Sequence, residues 1–186
     1  LVNRTDEIIK ANTLDLEKKK KNNISTSLAD RLMLNEKRIN DISNAVRELV
    51  ELEDPVGEII EEWDRPNGMT IKKVRVPMGV IGMIYEARPN VTVDAATIAL
   101  KTSNAIMLRG SKSALNSNIK IVEVMHDALK NTDIPSEAIQ LIEDPSHDSV
   151  NEMLRLNGLI DVLIPRGGEK LIKQVVNNAS VPVIET

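Results

Sequence analysis

The sequence of 186 residues has no cysteine and no phenylalanine, and it holds one tryptophan and one tyrosine. A chain without cysteine forms no disulfide, and this composition predicts a reducing compartment, with the cytoplasm as the expected location. Proteins that stack on nucleic-acid bases need aromatic platforms, so the scarcity of aromatic residues argues against that class. The core must therefore be built from Ile, Leu, Val, Met and Ala.

The sequence also lacks a membrane-spanning run and a secretory signal. No apolar stretch reaches the roughly 20 residues that a spanning helix needs, and the first residues do not follow the basic-then-apolar layout of a signal peptide. The net charge of −4, from 24 basic and 28 acidic residues, predicts no strong attraction to nucleic acid or to an anionic membrane. His126 and His147 have no ligands at metal-binding spacing, so no metal site is predicted.

The sequence divides into three segments that differ in periodicity. Residues 1–55 carry apolar positions at helical spacing and predict an N-terminal helical segment that is broken at Asn22-Asn23. Residues 56–76 predict a projecting β-hairpin, because Asn67-Gly68 separates two β-prone runs. Residues 77–186 alternate strand and helix patterns. The sequence begins without Met in a helix-like pattern, and we expect it to be a piece of a longer protein.

The third segment predicts a sheet that is covered on both faces. Its strand candidates are short and almost wholly apolar, and helical patterns fill the gaps, which indicates parallel strands with right-handed connections. The fold class is therefore α/β, a parallel Rossmann-like sheet with flanking helices, an N-terminal helical segment and a β-hairpin. The predicted strands are 80–85, 105–109, 138–143, 159–164 and 182–185, and the predicted helices are about 91–102, 113–130, 147–157 and 168–178.

Polar turns follow the first two predicted strands of this segment. Ligands of open α/β sheets bind outside the carboxyl ends of the strands, so both turns lie where a small molecule would bind. In the first turn, Arg88 and Asn90 either contact a carboxylate, phosphate or oxyanion, or form a surface ion pair and an ordinary turn. The second turn, Arg109-Gly110-Ser111-Lys112, offers an anion two cations, a hydroxyl and close backbone approach, and its alternative is a capped turn with solvated charges.

Two further features lie near the end of the sequence. The turn Arg166-Gly167-Gly168 follows an apolar strand and fits either a phosphate-binding loop or a common strand-to-helix connection. Neither G-x-G-x-x-G nor G-x-x-x-x-G-K-[ST] occurs, so neither usual phosphate-binding fingerprint identifies it. Glu185 ends the last apolar run, where it either meets solvent or is desolvated in the way that suits a general base.

Six runs carry a resemblance to a known family. They are Val-Pro-Met-Gly-Val-Ile-Gly (76–82), Tyr-Glu-Ala-Arg-Pro-Asn-Val-Thr-Val-Asp-Ala-Ala (85–96), Leu-Arg-Gly-Ser-Lys (108–112), Gln-Leu-Ile-Glu-Asp (140–144), Ile-Asp-Val-Leu-Ile-Pro-Arg-Gly-Gly (160–168) and Val-Pro-Val-Ile-Glu-Thr (181–186). Together they resemble the aldehyde dehydrogenase superfamily and, within it, the γ-glutamyl phosphate reductase family. Residues 85–90 and 165–168 are specific to the reductases, and the similarity covers essentially the whole sequence.

The resemblance implies a reaction. NADPH reduces L-glutamyl 5-phosphate to L-glutamate 5-semialdehyde in proline biosynthesis, with release of phosphate. In the family a cysteine thiolate attacks the acyl phosphate, and hydride from the nicotinamide converts the resulting thioester to the aldehyde. The implied partners are this substrate, glutamate 5-kinase as a candidate, and further copies of the full-length protein in a homo-oligomer.

The resemblance also assigns roles to residues by position. Lys112 stands where NAD-preferring relatives carry a ribose-binding glutamate, which favours NADPH. Arg88 and Asn90 would contact the substrate, and the oxyanion role is expected to fall to Asn90 because Ala87 stands at the position of the catalytic asparagine. Glu185 matches the general-base position. The implied cofactor contacts are Met83, Ile84, Tyr85, Glu86, Arg109, Gly110, Ser111, Lys112, Arg166, Gly167 and Gly168.

The nucleophilic cysteine of the family has no counterpart in this sequence, and in relatives it lies in a catalytic domain beyond the position of Thr186. We therefore expect the sequence to be the NADPH-binding portion of the reductase, inactive by itself. The alternative is a non-catalytic nucleotide-binding or oligomerisation module derived from the same fold. The reading frame beyond Thr186 discriminates between them, because a cysteine-bearing domain supports the enzyme and a stop codon supports the module.

Overall fold

The computed structural model describes residues 1–20 and 26–185. The helix break expected at Asn22-Asn23 lies outside the described residues. The first part of the chain is helical, as predicted, and opens with a short 3₁₀ turn at Val2–Arg4. Three helices follow, α1 (Thr5–Lys20), α2 (Thr26–Leu32) and α3 (Glu36–Glu51).

Two polar side chains fix the ends of these helices. Asn35 is the N-cap of α3, and its Oδ1 accepts a hydrogen bond from the backbone N–H of Arg38 at 2.9 Å. Asn12 of α1 is 1% exposed, and its amide donates to the carbonyl oxygen of Leu32 at 2.8 Å. The Oδ1 of Asn12 accepts from the N–H of Leu34, also at 2.8 Å. The carboxyl end of α2 is therefore held against α1.

The predicted hairpin is present, with strands β1 (Ile59–Asp64) and β2 (Thr70–Val74) paired antiparallel. Its turn contains Gly68 at φ +85°, in the left-handed region that glycine adopts readily. Ion pairs join the two strands, from Lys72 to Glu62 at 3.2 Å and from Lys73 to Glu61 at 3.3 Å.

The rest of the chain forms the predicted parallel sheet, with four strands in the order β5-β4-β3-β6. The strands are β3 (Val80–Tyr85), β4 (Ala105–Arg109), β5 (Ile139–Leu141) and β6 (Val162–Arg166). The helices are α4 (Pro89–Lys101), α5 (Leu115–Leu129), α6 (His147–Met153) and α7 (Glu169–Asn178), with short 3₁₀ turns at Lys112–Ala114 and Ser136–Ala138.

Four elements predicted from the sequence have different boundaries in the structure. The strand expected at 182–185 is reduced to a single bridge between Leu163 and Val183, because Pro182 has no N–H to donate. The strand expected at 159–164 begins later, at Val162, and Leu159 is 68% exposed in the preceding turn. The strand expected at 138–143 keeps only three residues in the sheet, and the helix expected at 147–157 ends at Met153.

Each face of the sheet packs on different helices. Alternate side chains of β3 explain this, because Ile81, Met83 and Tyr85 join the core formed with α1, α3, α4 and α5. Ile84 points to the other face and joins the core formed with α6 and α7. Gly82 permits the second contact, since a Cβ there would lie 2.6 Å from Cδ2 of Leu163.

The strand order creates a switch point beside β3. The chain crosses from β3 to β4 on one side and returns to add β6 on the other. The loops after β3 and β6 therefore diverge from neighbouring strands at the carboxyl edge of the sheet. In open α/β sheets such a divergence leaves a crevice where ligands bind.

A buried carboxylate links the first helix to the start of α5. Asp15 of α1 is 1% exposed. Its Oδ2 accepts from the backbone N–H of Ser117 at 2.8 Å and from the Ser117 hydroxyl at 2.6 Å. Its Oδ1 accepts from the backbone N–H of Asn116 at 3.2 Å and from that side-chain amide at 2.5 Å. Asp15 therefore caps α5 from a distant position in the chain.

Candidate functional site

A cavity of about 510 Å³ lies at the switch point. The loops after β3 and β6 form its walls, and α2 contributes two more residues. The lining residues are Leu28, Arg31, Tyr85, Glu86, Ala87, Arg88, Val91, Arg166, Gly167 and Gly168. Two of the three polar turns predicted from the sequence thus meet at one cavity.

The N-terminus of α7 opens on this cavity. Gly168 is the N-cap of α7, and no side chain among the described residues caps this end. Uncapped N–H groups and the helix dipole together favour an anion. At Gly167 a Cβ would lie 2.7 Å from Cδ of Glu86 and 2.8 Å from Cδ2 of Leu171, so glycine keeps this wall open. The start of α7 is therefore a candidate position for an anionic group.

Three arginines line the cavity. Arg88 follows β3, Arg166 ends β6 and Arg31 lies on α2, and all three are exposed. Within residues 1–20 and 26–185, none of them forms an ion pair. The only carboxylate among the lining residues is Glu86. The walls therefore carry an excess of positive charge, which favours an anionic ligand. Sequence analysis did not identify Arg31, because α2 is far from the turns along the chain.

Asn90 and Asp94 lie one turn apart on α4. The Asn90 amide donates to Oδ2 of Asp94 at 3.1 Å. Asn90 lines a second cavity of about 310 Å³ beside the first. Burial raises the pKa of Asp94 above the ordinary aspartate value, while the hydrogen bond from Asn90 and the charge of Arg166 oppose that rise.

The raised pKa of Asp94 predicts a pH dependence of stability. The folded chain binds this proton more tightly than the unfolded chain, so ionisation of Asp94 lowers the free energy of unfolding as pH rises through the interval between the two pKa values. Urea unfolding between about pH 3 and pH 6 checks this against Asp94→Asn. We expect the variant to lose less stability than the wild type over that interval. Equal losses would contradict the prediction.

Arg109 was expected to contact the cofactor, but it does not line the cavity. The residue is 8% exposed, and its guanidinium folds back into the protein. Its Nη2 donates to the carbonyl oxygens of Pro145 at 2.9 Å and Ser146 at 2.7 Å, and Nη1 donates to that of Gly110 at 3.0 Å. These acceptors leave the guanidinium committed to the loop before α6. The geometry therefore supports a structural role for this side chain in place of an anion contact.

Gly110 is explained by packing. A Cβ at this position would lie 2.2 Å from Nδ2 of Asn118 and 3.0 Å from Cζ of Tyr85. Tyr85 is buried, its hydroxyl lies 2.7 Å from Oγ1 of Thr92, and burial raises its pKa. The Oδ1 of Asn118 accepts from the Thr92 hydroxyl at 3.0 Å. Glycine is required here because these side chains fill the space, whereas the sequence had suggested close approach to a ligand.

The remaining residues of the second turn stay accessible. The Ser111 hydroxyl accepts from the N–H of Ser113 at 3.2 Å and so caps the 3₁₀ turn. Lys112 is exposed and forms no ion pair within the described part of the chain. Both residues lie after β4, one strand away from the cavity, and neither lines it. Lys112 is thus a cation available to a ligand that extends along the sheet edge.

Other predicted site residues are placed less favourably. Met83 and Ile84 are 9% and 2% exposed in β3 and belong to the two cores, so only Tyr85 and Glu86 of that run reach the cavity. Glu185 is exposed in the described chain, which agrees with the alternative in which it meets solvent, and its role as a base stays a prediction. Among residues 1–20 and 26–185, no acidic or histidine side chains cluster as metal ligands, and no helix in these ranges could span a membrane.

Three comparisons with known proteins indicate the same family. A family model described as "Aldehyde dehydrogenase family" matches residues 1–185. Gamma-glutamyl phosphate reductase of Bacillus mycoides is 58% identical over 186 residues, which is 100% of this chain and 45% of the relative. The crystal structure of the reductase from Thermotoga maritima has a TM-score of 0.97 and 48% identity, covering 99% of this chain and 44% of that chain.

A more distant structure extends the likeness. Gamma-glutamyl phosphate reductase from Saccharomyces cerevisiae has a TM-score of 0.90 and 28% identity, covering 98% of this chain and 46% of that chain. In each comparison, the chain spans less than half the length of the protein it matches. The match therefore concerns the part of each relative that corresponds to residues 1–186.

Proposed function

The chain belongs to the aldehyde dehydrogenase family, and on that premise we propose that it is the NADPH-binding part of an enzyme that reduces L-glutamyl 5-phosphate to L-glutamate 5-semialdehyde in proline biosynthesis. The observation that carries the proposal is 58% identity over the whole chain to a gamma-glutamyl phosphate reductase. Residues 1–55, 56–76 and 77–186 are proposed as helical segment, hairpin and cofactor domain. The proposed location is the cytoplasm.

The cofactor is proposed to lie along the carboxyl edge of the sheet. The uncapped N-terminus of α7, with Arg166, Gly167 and Gly168, suits the pyrophosphate. Lys112 suits the 2′-phosphate that distinguishes NADPH from NADH. NADPH supplies the hydride when bound. The side chains of Met83, Ile84 and Arg109 are withdrawn from this proposal because they are buried. The backbone of Tyr85 and of residues 109–111 and the side chain of Glu86 remain in it.

The substrate is proposed to enter the crevice between β3 and β6. Arg88 lines this crevice and Asn90 lines the smaller cavity beside it, so the two residues supply one positive charge and one amide to an acidic substrate. The 186 residues contain no cysteine, so the attacking thiol has to come from outside them. Glu185 is exposed in the described chain, so we propose it as a base only for a longer protein in which additional residues bury its carboxylate. Glutamate 5-kinase and copies of the same protein are the proposed partners.

The lack of cysteine also favours a second candidate. A non-catalytic nucleotide-binding or oligomerisation module would keep the sheet edge and need no thiol. The two functions differ in one observable, the reading frame that follows the codon for Thr186. A domain with an in-frame cysteine supports the reductase, and a stop codon supports the module.

Calorimetric titration of the 186-residue chain with NADPH and NADH tests the cofactor assignment. We expect NADPH to bind at least about tenfold more tightly, because one charge-assisted hydrogen bond to the 2′-phosphate contributes about 1.5–3 kcal/mol. Titration with ATP is the control for general nucleotide binding. Equal affinity for the two dinucleotides would count against the proposal.

A further inference from the structure

The two cavities share a wall. The first, of about 510 Å³, and the second, of about 310 Å³, are both lined by Arg31 and Arg88. Arg31 lies on α2 and Arg88 is the N-cap of α4. These are the only residues common to the two linings. Arg31 and Arg88 therefore lie at the junction between the crevice of the sheet and the pocket formed with α2 and α3.

The charges around this junction are unbalanced. Cavity two is also lined by Asp30 and Arg38, which pair with each other at 2.7 Å. Asp41 in cavity two and Glu86 in cavity one form no ion pair within residues 1–20 and 26–185. Arg31, Arg88 and Arg166 thus line the two cavities together with two carboxylates that have no ion-pair partner among the described residues, and the carboxylate of Asp94 also interacts with the charge of Arg166. Like charges lining one cavity repel, and an anion between them relieves that repulsion.

Arg31 is held in place by its neighbours. Leu32 is fully buried, and its carbonyl oxygen accepts from the Asn12 amide at 2.8 Å. Leu34 donates its N–H to the same Asn12 side chain, also at 2.8 Å. The backbone on the carboxyl side of Arg31 is therefore fixed to α1. A guanidinium on a fixed backbone loses less entropy on binding than one on a mobile loop.

We propose that Arg31 and Arg88 together bind one oxyanion of the substrate at the junction of the two cavities. This inference rests on the proposed function, whose substrate carries an α-carboxylate at one end and an acyl phosphate at the other. Both groups accept the paired N–H donors of a guanidinium. Arg31 is then a substrate-binding residue that determines specificity for a doubly anionic substrate.

Titration of the 186-residue chain with inorganic phosphate and, separately, with L-glutamate tests this pair. Backbone amide shifts in NMR spectra report binding and show whether each variant is folded. We expect Arg31→Gln and Arg88→Gln each to raise the dissociation constant of the bound probe about tenfold. Arg65→Gln is the matched control, because Arg65 lies in the hairpin and lines neither cavity. It should change the constant by less than about twofold.

The two probes distinguish the end of the substrate that is bound. Weakening of phosphate alone assigns the pair to the acyl phosphate, and weakening of glutamate alone assigns it to the α-carboxylate. Arg31→Lys, which keeps the charge and loses the paired donors, should fall between wild type and Arg31→Gln. It also serves if Arg31→Gln does not fold.

Unchanged binding of both probes by folded Arg31 variants would overturn the inference. So would an equal effect of Arg65→Gln, or no saturable binding of either probe to the wild-type chain. The NADPH and NADH titrations of the wild type decide the cofactor assignment separately. If the wild type binds NADPH and NADH equally while probe binding still depends on Arg31, the cofactor assignment is refuted and the inference about the arginine pair is retained.

Discussion

Lys112→Glu is expected to lower the affinity for NADPH by about ten- to a hundredfold, so that the gap between NADPH and NADH narrows or reverses. Lys112 is exposed after β4 and forms no ion pair within residues 1–20 and 26–185. Its ammonium group is thus available to the 2′-phosphate. A glutamate there would repel that phosphate and could accept a hydrogen bond from a ribose hydroxyl. Calorimetry with both cofactors measures the change.

A charge reversal elsewhere controls for the general effect on net charge. Lys10 is exposed on α1, and Lys10→Glu makes the same change away from the sheet edge. It should leave the ratio of the two affinities unaltered. If Lys112→Glu changes the ratio by no more than Lys10→Glu does, Lys112 does not read the 2′-phosphate.

Asp15→Ala is expected to lower the free energy of unfolding by about 3–5 kcal/mol. The carboxylate is 1% exposed and accepts four hydrogen bonds at the start of α5. Its removal leaves the buried hydroxyl and N–H of Ser117 without their acceptor and opens a space between α1 and α5. Urea unfolding followed by circular dichroism measures the loss.

Two further variants test whether the loss of stability comes from the hydrogen bonds of Asp15. Asp15→Asn keeps the shape but can accept through one oxygen only, so it should cost about half as much. Asp133→Ala removes an exposed carboxylate that forms no hydrogen bond or ion pair within the described chain, and it should change stability by less than about 0.5 kcal/mol. Similar results for Asp15→Ala and Asp133→Ala would show that the cap contributes little.

The strands of the sheet could be predicted where the local sequence pattern alone determines their ends. β3 and β4 were predicted at the residues where they occur, because each is an apolar run bounded by polar or glycine residues. β6 was predicted three residues early. Asp161 sets its start by accepting the N–H of Val80 at 2.8 Å, and its own N–H donates to the Val80 carbonyl oxygen at 2.9 Å. That register depends on another strand and cannot be read from local periodicity.

The sequence predicted which turns form the candidate site, but it did not predict which side chains of those turns point into the cavity. Arg88 and Arg166 follow strands and do reach the cavity. Arg109 ends β4 as Arg166 ends β6, but its side chain turns inward to the carbonyl oxygens of residues 145 and 146. Arg31 joins the site only because α2 packs beside the sheet edge. In both cases a distant segment decides the outcome, so sequence position alone is insufficient.

Because Asp15 already occupies the start of α5, the N–H groups there are not available to an incoming diphosphate, whereas no side chain of residues 1–20 and 26–185 caps the start of α7. The start of α6 is capped by Ser146, whose hydroxyl accepts from the N–H of Ser149. The start of α4 also lacks a side-chain cap, but Pro89 at its first position leaves it one N–H fewer than α7. We therefore expect the fold to impose one polarity on a dinucleotide. With the diphosphate at α7 and the 2′-phosphate at Lys112, only one direction satisfies both sites, and a molecule bound in reverse would leave its 2′-phosphate away from Lys112.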